Sequence, residues 1–159
     1  MRIILIIMTL AISYSHSLVA SDLATAAIAG KENFKRCIAC HLADGAGIPG
    51  AFPKLRGRLA QIVQHKGGRD YLTMVVANGL TGAITVQGQP YMGVMPAQSY
   101  GLDNKQLAAL LNQAIVATAG TLDVSEIRPF SETEISKIKA SYKNSSMQHS
   151  RSLRPSNLE

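Results

Sequence analysis

Tryptophan is absent from this 159-residue chain, phenylalanine occurs three times and cysteine twice. With so few large aromatics, the polypeptide is short of side chains to fill a core. Two cysteines exclude a disulfide-built scaffold. The four histidines include no pair at His-x₃₋₅-His spacing, so a four-ligand structural zinc site is excluded too. Charged residues make up only 16% of the chain, with an excess of base that gives a net charge of +6 and a pI near 9.6. No basic helix or aromatic stacking platform accompanies that charge, so it does not indicate nucleic-acid binding.

Long apolar runs are also lacking. Ile3–Ile12, apolar but for Thr9, is too short to cross about 30 Å of hydrocarbon. Arg2 precedes it, and polar residues ending in Ala20 follow, so residues 1–20 read as a secretory signal with a periplasmic destination. Membrane association is then expected only through a partner or an uncleaved N-terminus. Residues 21–142 are expected to form one domain, and the polar, basic stretch 143–159 a disordered tail.

Both cysteines fall in one pentapeptide, Cys37-Ile38-Ala39-Cys40-His41. Cys-x-x-Cys-His is the spacing of covalent c-type haem attachment: two thiols form thioethers and the adjacent imidazole coordinates iron. A thioredoxin-like pair needs a βαβ setting, half a zinc site needs a second cluster, and a disulfide across three residues closes a loop of little entropic value. None of these explains the histidine. A haem would also supply the apolar bulk that the aromatics do not.

Asp22 can cap a helix running to about Arg36, which the motif then closes. Residues 43–53 are a Gly/Pro loop, a helix is predicted near 69–78, and Ile84–Val86 with Pro90-Tyr91 suggests a small hairpin. Capping boxes at Asp103-x-x-Gln106 and Ser131-x-x-Glu134 open two further helices. Lys54, Arg56, Arg58, Lys66 and Arg69 cluster within sixteen residues, either as solvated surface or as a positive rim that steers an acidic partner or neutralises a propionate.

A second iron ligand could come from His65, Met74, Met92, Met95, Met147 or His149. The last two lie in the expected tail, and Met74 has core spacing. Met95 is followed by Pro96, whose fixed backbone suits a rigid sulfur-presenting loop. Met95 is favoured, with Met92 the rival.

Cys-x-x-Cys-His, Phe52-Pro53-Lys54-Leu55-Arg56-Gly57 and Tyr91-x-Gly93-x-Met95-Pro96 together resemble class I cytochromes c over roughly residues 28–142, most of all bacterial modules serving dehydrogenases, oxidases or nitrite reductases. The resemblance implies an all-α class I cytochrome c fold, four to five short helices around one haem c, the first crossing the last. It implies Cys37 and Cys40 as thioether residues, His41 and Met95 as iron ligands and Pro53 as acceptor for the proximal imidazole. Leu55 would pack on the haem, and Arg56 or Arg58 would reach a propionate. The chain departs from the pattern in having only Lys35 and Arg36 between Phe34 and the first cysteine, and no aromatic near Gln113, both where the terminal helices should cross.

The function implied is single-electron transfer between redox proteins such as a dehydrogenase, oxidase or reductase, with no catalytic residues. The alternatives are a peroxidase-like haem enzyme or ligand sensor with a displaceable sixth ligand, or a partner-binding module whose haem is vestigial.

Overall fold

The computed structural model describes residues 17–156 and 158, with side chains from Leu23 onward. Most of the expected leader therefore lies outside the described residues. Helices α1 (Ser17–Ile28), α2 (Lys31–His41), α3 (Arg58–Ile62) and α4 (Gly68–Asn78) lead into an antiparallel hairpin, β1 (Leu80–Val86) and β2 (Gln89–Met95). Helices α5 (Asn104–Ala117), α6 (Glu132–Ser141) and α7 (Met147–Ser152) complete the order. The mostly helical architecture with one hairpin agrees with the fold that the sequence resemblance implies. No helix among the described residues is long and apolar enough to cross a membrane.

The helix count exceeds the expected four to five for two physical reasons. The single helix expected over 22–36 is two, broken at Ala29-Gly30. There the chain passes against α5 so closely that a Cβ on Gly30 would lie 2.0 Å from the Ala109 carbonyl oxygen and 2.9 Å from Gln113 Cβ. Only glycine permits that approach. Leu23 and Phe34 flank it and bury into one core with Leu107, Leu110 and Ile115 of α5.

The second reason is the tail, which is not disordered. Ser146 caps α7 through the His149 amide, the buried Ser150 hydroxyl donates to the Met74 carbonyl at 3.1 Å, and Asn78 donates to the Ser145 carbonyl at 2.8 Å. Leu158 is buried in the main core. Polar composition hid this docking because the segment is held by side-chain-to-backbone bonds and a few apolar anchors, not by an amphipathic stripe.

The box at Asp103 is complete: the Gln106 amide donates to the Asp103 carboxylate at 2.7 Å and the Asp103 amide to the Gln106 side chain at 3.0 Å. The one at Ser131 is half made. Its hydroxyl accepts from the Glu134 amide, but the Glu134 carboxylate is taken by Arg69 at 2.6 and 2.7 Å and by Arg128 at 3.0 and 2.9 Å. Arg69 also lies 3.7 Å over the Phe130 ring, so this clamp ties α4 to α6. The buried Asn112 side chain adds a second tie, exchanging hydrogen bonds with the Phe130 backbone at 3.0 and 2.7 Å.

Partial burial disfavours the Glu134 carboxylate, but the hydrogen bonds and charges of Arg69 and Arg128 outweigh it and bring its pKa down from 4.5 to about 2. Because the folded pKa is depressed, the clamp's stabilisation is complete above pH 4.5 and is lost as pH falls toward 2. Glu134→Gln is expected to lower the unfolding midpoint at pH 7 and to flatten the acid limb of a stability–pH curve. Gly30→Val is expected to cost about 2–3 kcal/mol in denaturant unfolding, because the added side chain meets backbone that cannot move aside.

Candidate functional site

Residues 43–53 fold back on the end of α2. The Gly47 amide donates to the His41 carbonyl at 3.0 Å, and Ile48 and Phe52 exchange amide–carbonyl bonds of 2.8 Å in each direction. This return brings the Pro53 carbonyl to 2.8 Å from His41 Nδ1. A carbonyl only accepts, so Nδ1 carries the hydrogen and Nε2 keeps its lone pair. Burial pushes the His41 pKa below the usual imidazole range, against the opposing effect of that hydrogen bond. A neutral imidazole with a free Nε2 is the form a metal takes.

His41 lines an open cleft of two adjoining lobes. Cys37, His41, Pro53, Leu80, Ile84 and Met95 line both lobes. Cys40 lines the outer lobe, and Leu55, Leu72 and Leu111 line the inner one. The two thiols, the imidazole and the Met95 thioether thus meet in one mainly apolar space. That donor set and its mainly apolar lining fit a covalently tethered porphyrin. Burial, partly offset by Arg36, raises the Cys37 thiol to about 11. A redox-active pair needs a lowered thiol pKa, so the thioredoxin-like reading has no support here. No group of three or more His, Cys, Asp or Glu that could hold a metal occurs among the described residues.

The hairpin separates the two rival methionines. Gln87 (φ 52°) and Gly88 (φ 75°) make a tight turn, which sets Leu80 opposite Met95, Gly82 opposite Gly93 and Ile84 opposite Tyr91. Paired residues share a face, and successive residues along a strand point to opposite faces. Met95 therefore shares the face of Leu80 and Ile84, which line the cleft, whereas Met92, three residues earlier, has the other parity. Met92 is 82% exposed and lines the outer lobe alone, whereas Met95 lines both. Met95 is not in the loop that the sequence suggested; it closes β2.

Several contacts fix the Met95 backbone. Gly79, at φ 83°, passes so near that a Cβ there would lie 2.4 Å from the Met95 carbonyl oxygen. The Gln98 amide donates to the Val76 carbonyl at 2.8 Å and the Ser99 hydroxyl to the Ala77 carbonyl at 2.9 Å. Arg36, one residue before the first cysteine, donates to the carbonyls of Gln98 at 2.5 Å and Tyr100 at 3.2 Å. The loop after Met95 is thereby tied to the helix that carries the cysteines. Sequence reasoning passed over Arg36, since its role depends on carbonyls more than sixty residues away.

The basic cluster disperses. Arg56 pairs with Asp44 and lies outside both lobes of the cleft, so it is not brought to the site as expected. Arg69 is spent on Glu134. Arg58 is buried, lines the inner lobe and donates to the Leu158 carbonyl at 2.6 Å. Of the other candidate ligands, Met74 is buried in the core, and neither His65, Met147 nor His149 lines the cleft.

Comparison with known proteins matches the cytochrome c family over residues 27–112. The chain is 39% identical over 123 residues to a cytochrome c-552 of Thermus thermophilus, covering 77% of this chain and 82% of the relative. It is 40% identical over 111 residues to a second Thermus thermophilus cytochrome c-552, covering 70% and 84% respectively.

Arg36→Leu is expected to speed amide hydrogen exchange across residues 96–101 and to leave the middle of α5 unchanged. Equal protection of that loop in both proteins would show that Arg36 does not anchor it.

Proposed function

Since the chain belongs to the cytochrome c family, whose members carry covalent haem c and transfer electrons, we propose that its iron is held between His41 and Met95 and that it passes single electrons between redox proteins outside the cytoplasm. One observation carries this reading: the cleft that holds both cysteines and the oriented His41 imidazole also receives Met95 and no other methionine from the same face of the hairpin.

When bound, the haem supplies a one-electron ferric/ferrous couple. Cys37 and Cys40 would tether it. His41, with Nδ1 committed to Pro53, would present Nε2 to the iron in one fixed orientation, and the hydrogen bond raises the basicity of that nitrogen. Met95 would offer a neutral, soft sulfur that favours the ferrous state and so raises the potential. Leu55, Leu72 and Leu111 exclude water from the inner lobe. A filled sixth position with a backbone pinned at Gly79, Gln98 and Ser99 leaves little to rearrange between oxidation states. These features serve electron transfer better than ligand activation, which needs an open site and nearby acid–base groups. The apolar run Ile3–Ile12 after Arg2 supports export, and the redox partners are expected to be a dehydrogenase, oxidase or reductase, either in solution or in a complex of which this chain is a subunit.

The test compares holoproteins. The ferric wild type is expected to be low-spin with a methionine–iron charge-transfer band and to bind cyanide slowly. Met95→Ala should lose the band, become high-spin and show a lower midpoint potential, while Met92→Ala should match the wild type. A high-spin wild type that binds cyanide rapidly, or loss of the band in Met92→Ala alone, would overturn the assignment.

A further inference from the structure

The hairpin that carries Met95 has only two strands. A lone two-stranded hairpin is marginal in water and needs further strands, or a helix against it, to be stable. Here α7 is that helix, because it packs against both α4 and β1. It lies beyond residues 27–112, the part of the chain matched to the family.

The contact is made to the backbone edge of β1. Gln87-Gly88 is a two-residue turn, so Val86 and Gln89 form a hydrogen-bonded pair, and such pairs recur at every second residue. Ala83 and Thr85 fall between them, with carbonyls directed away from β2. Pro90, opposite Thr85, fits that position because it has no amide to donate. Those two outward carbonyls are the ones the C-terminal segment takes. Arg151 donates to Ala83 at 3.5 Å, and Arg154 donates to Thr85. Gly82, at φ 93°, lets the Arg151 side chain lie against the strand, since a Cβ there would come within 3.1 Å of its guanidinium. The same segment is fastened to α4 by the Ser150 hydroxyl on the Met74 carbonyl at 3.1 Å and by the Asn78 amide on the Ser145 carbonyl at 2.8 Å.

Met95 stands opposite Leu80 at the open end of the hairpin, so a hairpin free to swing would carry its sulfur away from the cleft. We propose that segment 145–154 is a strap that holds the hairpin over the cleft by occupying the free edge of β1, and that it thereby sets how readily Met95 leaves the iron. Ser150 and Arg151 are positioning residues: neither lines the cleft, and each acts on Met95 through α4 or β1. With the strap seated, the sixth position stays closed to outside ligands. With the strap released, the same chain would admit them. The inference rests on the His41/Met95 ligation of the proposed function and adds to it a control on the methionine side.

Cyanide bonds to ferric iron only in molecules whose sulfur has moved off, so its binding rate reports that local opening. The ferric holoprotein carrying Ser150→Ala and Arg151→Leu together is expected to keep the methionine–iron band and to bind cyanide about tenfold faster than the wild type, the order of change that loss of two ordinary hydrogen bonds gives. Amide exchange should quicken at Gly82, Ile84 and Gly93, while the middle of α5 stays protected. Arg154 is left in place because it lines the cleft. Glu134→Gln is the control: it loosens the clamp between α4 and α6 without touching the strap, and it should bind cyanide at the wild-type rate. A wild-type rate in the double variant overturns the proposal. So does an equal acceleration in Glu134→Gln, which would show that the rate follows overall stability. Should the double variant not fold, Ser150→Ala and Arg151→Leu taken singly decide on the same two criteria. Failure of the His41/Met95 reading registers separately, as a missing methionine–iron band in the wild type before the strap is changed, and it takes the proposal with it.

Discussion

The hydrogen bond from His41 Nδ1 to the Pro53 carbonyl, 2.8 Å long, is the constraint on which the site depends. It selects the tautomer, fixes the ring plane and leaves Nε2 facing the cleft. It also requires a particular architecture: a helix ending at the histidine, and a loop that doubles back within a dozen residues to deliver one carbonyl. The inward bonds at Gly47, Ile48 and Phe52 hold that loop in place. Without them the imidazole would have no fixed partner, and the apolar cleft alone would not orient an iron ligand.

The opposite side of the cleft is built by different physics. Strand parity, set by the turn at Gln87-Gly88, decides which side chains of the hairpin enter. The loop after Met95 is then fastened to α4 through Gln98 and Ser99 and to α2 through Arg36. The two halves of the site are thus bound through backbone carbonyls more than through side-chain packing. This suits a protein with few large aromatics, in which a cofactor fills the space that a polypeptide core would otherwise occupy.

What was legible in the sequence follows from how local each signal is. Cys37-x-x-Cys40-His41 is local chemistry, as is the Asp103 capping box, so both were readable. Met95 could be preferred over Met92 from its proline neighbour, but the further support from strand parity needed the register of a hairpin whose full length the sequence did not reveal. The break at Gly30 depends on the Ala109 carbonyl, and Arg36 on Gln98 and Tyr100, each more than sixty residues distant. The fate of the basic cluster was equally hidden, because adjacency in sequence says nothing of whether Arg56 finds Asp44 or Arg58 turns inward. Composition misled only at the tail, where sparse apolar anchors and backbone-directed bonds hold a segment that looks solvated.

On the proposed function, His41 and Met95 would together hold one iron, each fixed by backbone that the rest of the fold positions. A crystal structure of the haem-loaded protein tests that claim most directly. The expected result is His41 Nε2 and Met95 Sδ both bonded to iron, with His41 Nδ1 still on the Pro53 carbonyl. Iron bonded instead to Met92, to His65 or to water on the side away from His41 would contradict it.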